Sequence, residues 1–171
     1  YHRLALLAPC TYLSLGTQIT TATGYMGGHT PDPTYEQVCS HTTGHAETVR
    51  VVFDTSLTSA ADLIRLFFEI HDPTQVGGQG NDIGDQYRSQ IWTTTPEQLR
   101  DATALREAYQ DVLSARGFGP IQTVISTAPD ADSNARFWYA EDYHQQYLFK
   151  NPGGYECHAR TGIACPALPS E

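Results

Sequence analysis

The chain has 171 residues, of which 40% are hydrophobic and 17% charged, and its formal net charge is −9. This length and balance predict one globular domain, spanning residues 1–171, that needs neither a metal nor a disulfide to fold. The negative charge argues against binding to nucleic acid or to an anionic membrane surface. No apolar run approaches the ~20 residues that a membrane span needs.

Four cysteines stand at positions 10, 39, 157 and 165. They are too sparse for a disulfide framework and lack the spacing of a zinc site, and the seven histidines are scattered, so we expect no bound metal. The chain begins at Tyr1 without a charged-then-apolar leader, which leaves open whether a leader has been removed. We expect a cytoplasmic protein whose thiols are available for redox or nucleophilic chemistry.

The first predicted element is a short strand in "LALLA", residues 4–8, which ends at Pro9 and is followed by Cys10. Two interpretations of Cys10 are open. It is either a nucleophile at a strand end or a small buried hydrophobic residue, and most buried cysteines are inert.

A second strand is predicted in "TTATGYMGG", residues 20–28, where glycines end it. The segment "HTPDPTY", residues 29–35, predicts a loop, because two prolines within three residues oppose regular structure. In this rigid loop Tyr35 either offers its hydroxyl to a ligand or only covers the core. Cys39 follows in a predicted loop, as a bystander.

The segment "AETVRVVFD", residues 46–54, alternates in the manner of a strand, with Val49, Val51 and Phe53 on one face. Glu47 stands at its start. A carboxylate at the end of an apolar strand is partly desolvated, which raises its pKa and lets it donate a proton near neutral pH. The alternative is an ordinary solvated glutamate.

A helix is predicted in "SLTSAADLIRLFFEIHD", residues 56–72, with Ser59 as its cap and Asp62 three residues later. One buried stripe is expected, made of four apolar residues: Leu63, Ile64, Phe67 and Phe68.

Residues 73–88 contain four glycines and predict a long shaped loop, a kind of segment that often carries function. Asp82 and Tyr87 lie five residues apart in it and could point into one cavity. Alternatively, Asp82 forms an Asx-type turn and Tyr87 packs against the core.

The second half predicts a strand in "SQIWTTT", a helix from the Thr95 cap to Arg116 that Gly117 ends, and a strand in "IQTVIST". A third helix is predicted in "YAEDYHQQYLFK", followed by an irregular tail. Strands and helices do not alternate regularly. We therefore predict an α+β fold, a two-layer sandwich of a mixed sheet packed on a few helices with long loops.

The tail contains Cys157 and Cys165 among glycines. A mobile cysteine suits a resolving thiol, which must travel to meet another sulfur. The alternative is that both are spectator thiols.

Several of these segments together resemble one family, the A-type peptide methionine sulfoxide reductases. The resemblance covers roughly residues 20–166 in order and rests on separate motifs: "GYMGGHTPDPTYEQVCSHTTGHAETVRVVFD", "HDPTQ", "QGNDIGDQYRSQIW", "TTPEQ", "YAEDYHQQYLFKNPGGY" and the late cysteines. It implies reduction of methionine-S-sulfoxide, free or in proteins, by a monomer without a cofactor.

The resemblance also implies a role for each matching residue. Cys10 matches the nucleophile, which attacks the sulfoxide sulfur and becomes a sulfenic acid. Glu47 matches the proton donor to the sulfoxide oxygen. Three further residues match groups that hydrogen-bond that oxygen or a site water: Tyr35, Asp82 and Tyr87. Cys157 matches the resolving thiol, Cys165 a second relay, and thioredoxin the reductant of the disulfide.

The first motif departs from the family pattern. Where the family has Gly-Cys-Phe-Trp, this chain has Pro9-Cys10-Thr11-Tyr12, so Tyr12 would stand in for the aromatic that holds the S-methyl group. The segment after Cys10 is also some six residues short, which predicts a truncated first helix. These departures keep two alternatives open: a repurposed cysteine enzyme with non-redox chemistry, and a non-catalytic sulfoxide-binding module.

Overall fold

The computed structural model describes residues 2–6, 19–155 and 160–168. In chain order, its elements are β1 (His2–Leu6), β2 (Ile19–Met26), α1 (Tyr35–Cys39), β3 (Ala46–Phe53), α2 (Ala60–Glu69), β4 (Gly78–Gln79), β5 (Asp82–Ile83), β6 (Gln90–Thr93), α3 (Pro96–Ser114), β7 (Val124–Thr127), β8 (Trp138–Tyr139) and α4 (Tyr147–Lys150). A turn of 3₁₀ helix, Asp85–Tyr87, lies between β5 and β6.

Six of the strands form one mixed sheet in the order β7-β6-β1-β3-β2-β8. β6 and β7 run parallel, and the other neighbours run antiparallel. β4 and β5 form a separate two-stranded hairpin. The predicted mixed sheet is therefore confirmed, and β1 lies inside it, between β6 and β3.

The core lies between this sheet and the two long helices. The stripe predicted for α2 is buried in full, and α3 contributes buried residues one helical turn apart. These side chains pack in one cluster with Val49, Val51 and Phe53 of β3. Because each large apolar side chain contributes about 1.5–3 kcal/mol on burial, this cluster is the main source of stability.

Both long helices begin where the sequence predicts. Ser59 and Asp62 form a reciprocal capping box at the start of α2. The Thr95 hydroxyl accepts the Gln98 N–H at the start of α3, with Pro96 in the first helical turn. Gly117 follows the end of α3 with a φ of 84°, a conformation that glycine adopts without steric cost.

The predicted third helix is wrong over most of its length. Only Tyr147–Lys150 is helical, and turns occupy the residues before it. The Gln145 side chain accepts from the Thr23 N–H and donates to the Thr23 carbonyl, both at 2.9 Å, which ties this segment to β2. Gln146 then adopts the left-handed conformation, with a φ of 53°. These side-chain contacts replace the helical hydrogen bonds.

Two predicted loops contain regular structure. The segment 73–88 includes the β4–β5 hairpin, whose turn has Gly80 at a φ of 59°. Cys39 is the last residue of α1 and not part of a loop, because a Thr34–Gln37 capping box starts a short helix directly after the prolines.

Three predicted site residues, Cys10, Tyr12 and Cys157, lie outside the described residues, as does the predicted truncated helix. Among the described residues, none of the helices has the length and apolar character of a membrane span. The same residues contain no cluster of His, Cys, Asp or Glu side chains that could hold a metal ion.

Candidate active site

Glu47 lies at the start of β3 on the face that continues into the core at Val49 and Val51. Its register partner on β2 is Tyr25. The Glu47 Oε1 atom is buried, and no described residue forms a hydrogen bond with it. An unsatisfied buried oxygen is rare in folded proteins and often marks a site that a ligand completes.

The surroundings of Glu47 favour its neutral form. Burial first, and then the nearby Asp82 carboxylate, raise the pKa of Glu47 from 4.5 to about 7. Taking a carboxylate out of water disfavours its charge, and a second negative charge adds to that effect. At neutral pH, a large share of the molecules therefore has a proton on Glu47 to donate.

The short helix α1 carries Tyr35 at its first position. A hydrogen bond with the Cys39 thiol, and after it burial, raise the pKa of Tyr35 to about 12. The charges of Cys39, Glu47 and Tyr143 act in the same direction. Tyr35 is therefore a neutral hydrogen-bond donor within electrostatic range of Glu47.

The segment from β4 to β6 places two more predicted site residues, Asp82 and Tyr87, near Glu47. Burial, and then the charges of Glu47 and Tyr35, raise the pKa of Tyr87 above its ordinary value, and Asp82 contributes to the shift. Asp82 Oδ1 accepts a hydrogen bond from the Tyr155 hydroxyl at 3.0 Å. The structure thus groups four predicted residues: Tyr35, Glu47, Asp82 and Tyr87.

Side-chain contacts tie the Asp82–Tyr87 segment to the chain before β3. His41 Nδ1 lies 2.7 Å from Asp85 Oδ1. The half-buried Arg88 donates to the Gly44 carbonyl at 3.1 Å and to the Asp85 carbonyl at 2.9 Å. These contacts join the segment that follows α1, which carries Tyr35, to the segment that carries Tyr87.

The histidine before Glu47 anchors the start of β3. His45 Nδ1 accepts the Gly28 N–H at 3.1 Å, so the other ring nitrogen donates to the Thr30 carbonyl at 2.8 Å. Burial lowers the pKa of His45, which keeps the ring neutral and this tautomer in place. A side chain on Gly28 would meet the backbone of Thr43 and His45.

Tyr25 and Glu141 lie next to the site residues, and neither has a functional signal of its own in the sequence. The buried Tyr25 donates its hydroxyl proton to Glu141 Oε2 at 2.8 Å, and the Tyr35 N–H donates to Glu141 Oε1 at 2.8 Å. Both lie in quoted motifs, but nothing local in the sequence indicates a contact across 116 residues.

The two described cysteines have different surroundings. Cys39, which is predicted to be a bystander, lies one helical turn after Tyr35 in α1 and raises its pKa. Cys165 is buried in the core, where its N–H donates to Glu69 Oε1 and its carbonyl accepts from Arg65. Burial, and then the Glu69 charge, raise the pKa of the Cys165 thiol to about 12. Its described contacts are with α2 and the core, not with the four grouped residues.

Chemically, the grouped residues suit a small polar ligand with an acceptor oxygen. A neutral carboxyl group and two phenols can each donate one hydrogen bond. Since these donors share a partly buried place, their bonds are less weakened by water than surface bonds are. An oxygen bound there would be protonated most readily by Glu47.

The comparisons with known proteins agree with this geometry. The family model described as "Peptide methionine sulfoxide reductase" matches residues 12–167. The peptide methionine sulfoxide reductase MsrA of Rhodospirillum centenum is 55% identical over 151 residues, which are 88% of this chain and 66% of that protein. The chain therefore spans just under two thirds of the length of this relative.

Solved structures have the same fold. Methionine sulfoxide reductase A of Corynebacterium diphtheriae is 38% identical, covers 98% of this chain and 83% of its own, and gives a TM-score of 0.82. Mxr1 from Saccharomyces cerevisiae in reduced form is 30% identical in sequence. The alignment covers 92% of this chain and 90% of Mxr1, and the TM-score is 0.78. Mxr1 in complex with Trx2 is 18% identical, and the alignment covers 92% of this chain and 88% of Mxr1 with a TM-score of 0.56. At this identity the likeness shows the fold alone.

Proposed function

The chain belongs to the peptide methionine sulfoxide reductase family, and we propose that it reduces methionine-S-sulfoxide, free or in proteins, to methionine. The single observation that carries this proposal is Glu47, a half-buried residue with a pKa of about 7 whose buried Oε1 atom has no hydrogen-bond partner among residues 2–6, 19–155 and 160–168. A sulfoxide oxygen is a poor leaving group until it is protonated, and Glu47 holds a proton for it at neutral pH.

The chemistry consists of two steps on sulfur. The Cys10 thiolate attacks the sulfoxide sulfur while the oxygen takes a proton from Glu47. The attack forms a bond between the Cys10 sulfur and the substrate sulfur. The protonated oxygen then passes to the Cys10 sulfur as the substrate S–O bond and the new sulfur–sulfur bond break, so Cys10 becomes a sulfenic acid and methionine leaves with its sulfur reduced. General acid catalysis of this kind contributes roughly 10²–10⁴-fold to the rate.

The phenols and Asp82 support the first step. Tyr35 and Tyr87 remain neutral at physiological pH and donate to the sulfoxide oxygen, so they stabilise the charge that develops there. Asp82 orients the sulfoxide oxygen through a water in the site. Its negative charge also raises the pKa of Glu47. Tyr12 would contact the S-methyl group.

Regeneration of Cys10 requires a second cysteine, so one turnover converts two thiols of the protein into a disulfide. The Cys157 thiol attacks the Cys10 sulfenic acid, a disulfide forms, and water leaves with the sulfenic oxygen. A dithiol of the thioredoxin class then reduces the disulfide and is itself oxidised. The structure of the yeast relative Mxr1 in complex with Trx2 supports a partner of this kind. As a second relay, Cys165 would have to leave the core in which the folded protein buries it.

The experiment is turnover of a chromogenic methionine sulfoxide with dithiothreitol, for the wild-type chain and for Cys10→Ser. Thiols are counted before and after one turnover without reductant. We expect turnover by the wild type, none by Cys10→Ser, and loss of two thiols per sulfide formed. Turnover that survives in Cys10→Ser would remove Cys10 from the mechanism. A constant thiol count with a consumed substrate would favour non-redox chemistry, and binding without turnover would favour a binding module.

A further inference from the structure

Glu141 joins two tyrosines that are far from it in the chain. It lies directly after β8 and its neighbour Ala140, in the segment of turns before α4. Its Oε2 atom accepts the Tyr25 hydroxyl proton and its Oε1 atom accepts the Tyr35 N–H, both at 2.8 Å. Each carboxylate oxygen therefore has one strong donor, and the donors belong to two different elements.

The same segment holds Tyr35 from a second side. The His144 ring lies against the Tyr35 ring, with centroids 4.7 Å apart. Tyr35 is thus fixed through its backbone by Glu141 and through its ring by His144. Since its N–H is one of the free donors at the start of α1, the Glu141 carboxylate satisfies it and sets the place where the helix begins.

The hydrogen bond from Tyr25 to Glu141 also prevents Tyr25 from donating its hydroxyl proton to Glu47. Tyr25 and Glu47 are register partners on neighbouring antiparallel strands, so their side chains share one face. A phenol has a single O–H, and Tyr25 gives it to Glu141. Within the part of the chain that the structure describes, Glu47 Oε1 consequently keeps no partner and is available to a substrate oxygen.

We propose that Glu141 is a positioning residue for the site: its carboxylate holds Tyr35 in place and turns the Tyr25 hydroxyl away from Glu47. The inference rests on the proposed function for the roles of Tyr35 and Glu47. Glu141 touches none of the reacting atoms, and it acts through the two tyrosines.

Replacing Glu141 with glutamine, a neutral amide, tests whether the carboxylate is needed to hold both Tyr25 and Tyr35. Glutamine has one acceptor oxygen, so it cannot accept from both Tyr25 and Tyr35 in the present geometry. A released Tyr25 hydroxyl turns to Glu47 and stabilises the charged carboxylate. Among the residues that the structure describes, the other titratable groups near Glu47 are the Asp82 carboxylate and the neutral phenols of Tyr35 and Tyr87, which the substitution leaves in the chain.

The test compares Glu141→Gln with Asp142→Asn, which removes the same charge from the adjacent, exposed position. The measurements are kcat and KM for methionine sulfoxide, and the titration midpoint of the Glu47 carboxyl by carbon NMR. We expect Glu141→Gln to lower kcat about tenfold or more, with a smaller change in KM, and to lower the Glu47 midpoint by about one pH unit. Asp142→Asn should match the wild type in all three.

A double variant isolates the cause. In Glu141→Gln/Tyr25→Phe no hydroxyl remains to reach Glu47, so the midpoint should return to the wild-type value while kcat stays low. A midpoint that is the same in Glu141→Gln and the wild type would overturn the proposal. So would a double variant whose midpoint stays as low as that of Glu141→Gln.

Tyr25→Phe alone covers the case in which Glu141→Gln does not fold. Its Glu47 midpoint should equal that of the wild type, and a higher midpoint would show that the Tyr25 hydroxyl already bonds to Glu47, which overturns the proposal. The NMR titration does not depend on turnover. An inactive wild type with the expected midpoints would therefore reject the proposed function and leave the role of Glu141 standing.

Discussion

The Tyr155 hydroxyl donates a hydrogen bond to Asp82 Oδ1 at 3.0 Å, which joins two residues 73 positions apart. Asp82 is one of the grouped site residues, and Tyr155 stands two positions before Cys157 in the sequence. The bond therefore connects the site to the segment that leads into the proposed resolving cysteine.

Loss of this bond should affect recycling more than reduction. A hydrogen bond to a carboxylate in a partly exposed place is worth about 1 kcal/mol, or about fivefold in a rate. We predict that Tyr155→Phe lowers steady-state turnover with thioredoxin about fivefold and leaves the yield of methionine in a single turnover unchanged. Tyr139→Phe, at an exposed tyrosine of β8, is the control. Equal steady-state rates for Tyr155→Phe and Tyr139→Phe would show that the bond does not assist recycling.

The buried His71 should make the fold sensitive to acid. Its Nδ1–H donates to the Phe67 carbonyl at 2.7 Å, so Nε2 accepts from the Ser89 hydroxyl at 2.8 Å. Burial lowers the pKa of His71 from 6.5 to about 4. The stability it provides is complete above pH 6.5 and is lost as the pH falls toward 4, because the unfolded chain binds the proton first.

We predict that the free energy of unfolding of the wild type falls by about 2 kcal/mol more between pH 7 and pH 5 than that of His71→Gln. Urea denaturation at the two pH values measures this difference. His29→Gln, at an exposed histidine, should behave like the wild type. Parallel losses in the wild type and His71→Gln would contradict a buried neutral histidine.

Glu47 should couple stability to pH in the opposite sense. Its folded pKa of about 7 lies above the ordinary value of 4.5, so its contribution is complete below pH 4.5 and is lost as the pH rises through 7. We predict that Glu47→Gln, which cannot ionise, gains about 2.5 kcal/mol relative to the wild type between pH 5 and pH 8. Glu107→Gln, on the exposed side of α3, should show no such gain in the same urea titrations.

The Cys165 thiol should resist modification in the folded protein. It is 1% exposed, and burial together with the Glu69 charge raises its pKa to about 12. Because the thiolate is the reactive form, we predict that iodoacetamide at pH 8 leaves Cys165 unmodified and labels the half-buried Cys39 faster. Mass spectrometry of digests gives both rates, and unfolding in guanidinium should equalise them. Equal rates in the native protein would mean that the tail leaves the core readily.

The elements that could be predicted are those whose sequence pattern and packing agree. In α2, the cap at Ser59 and the stripe at Phe67 and Phe68 act within one helix, so the local pattern was sufficient. The alternation in β3 likewise gave the face on which Glu47 lies. Glu47, Asp82, Tyr35 and Tyr87 could be predicted as neighbours because motif resemblance added information that spacing alone lacks, and their mutual pKa effects agree with that proximity.

The parts that could not be predicted depend on contacts across the chain. The segment "YAEDYHQQYLFK" has a helical composition, but Gln145 bonds to β2 and Glu141 bonds to Tyr25 and Tyr35, so most of it forms turns. The position of Cys39 one helical turn after Tyr35 likewise depends on a short helix, against which the nearby Pro31 and Pro33 argued. No local sequence pattern indicates which residues these side chains will contact.

The most direct test of Glu47 as the proton donor is the pH dependence of kcat/KM for methionine sulfoxide in the wild type and in Glu47→Gln. A general acid works only while protonated, so the wild-type value should fall above pH about 7, and Glu47→Gln should be about 10²–10⁴-fold slower with that fall absent. Wild-type rates in Glu47→Gln, with the same fall near pH 7, would contradict the assignment of Glu47 as the acid.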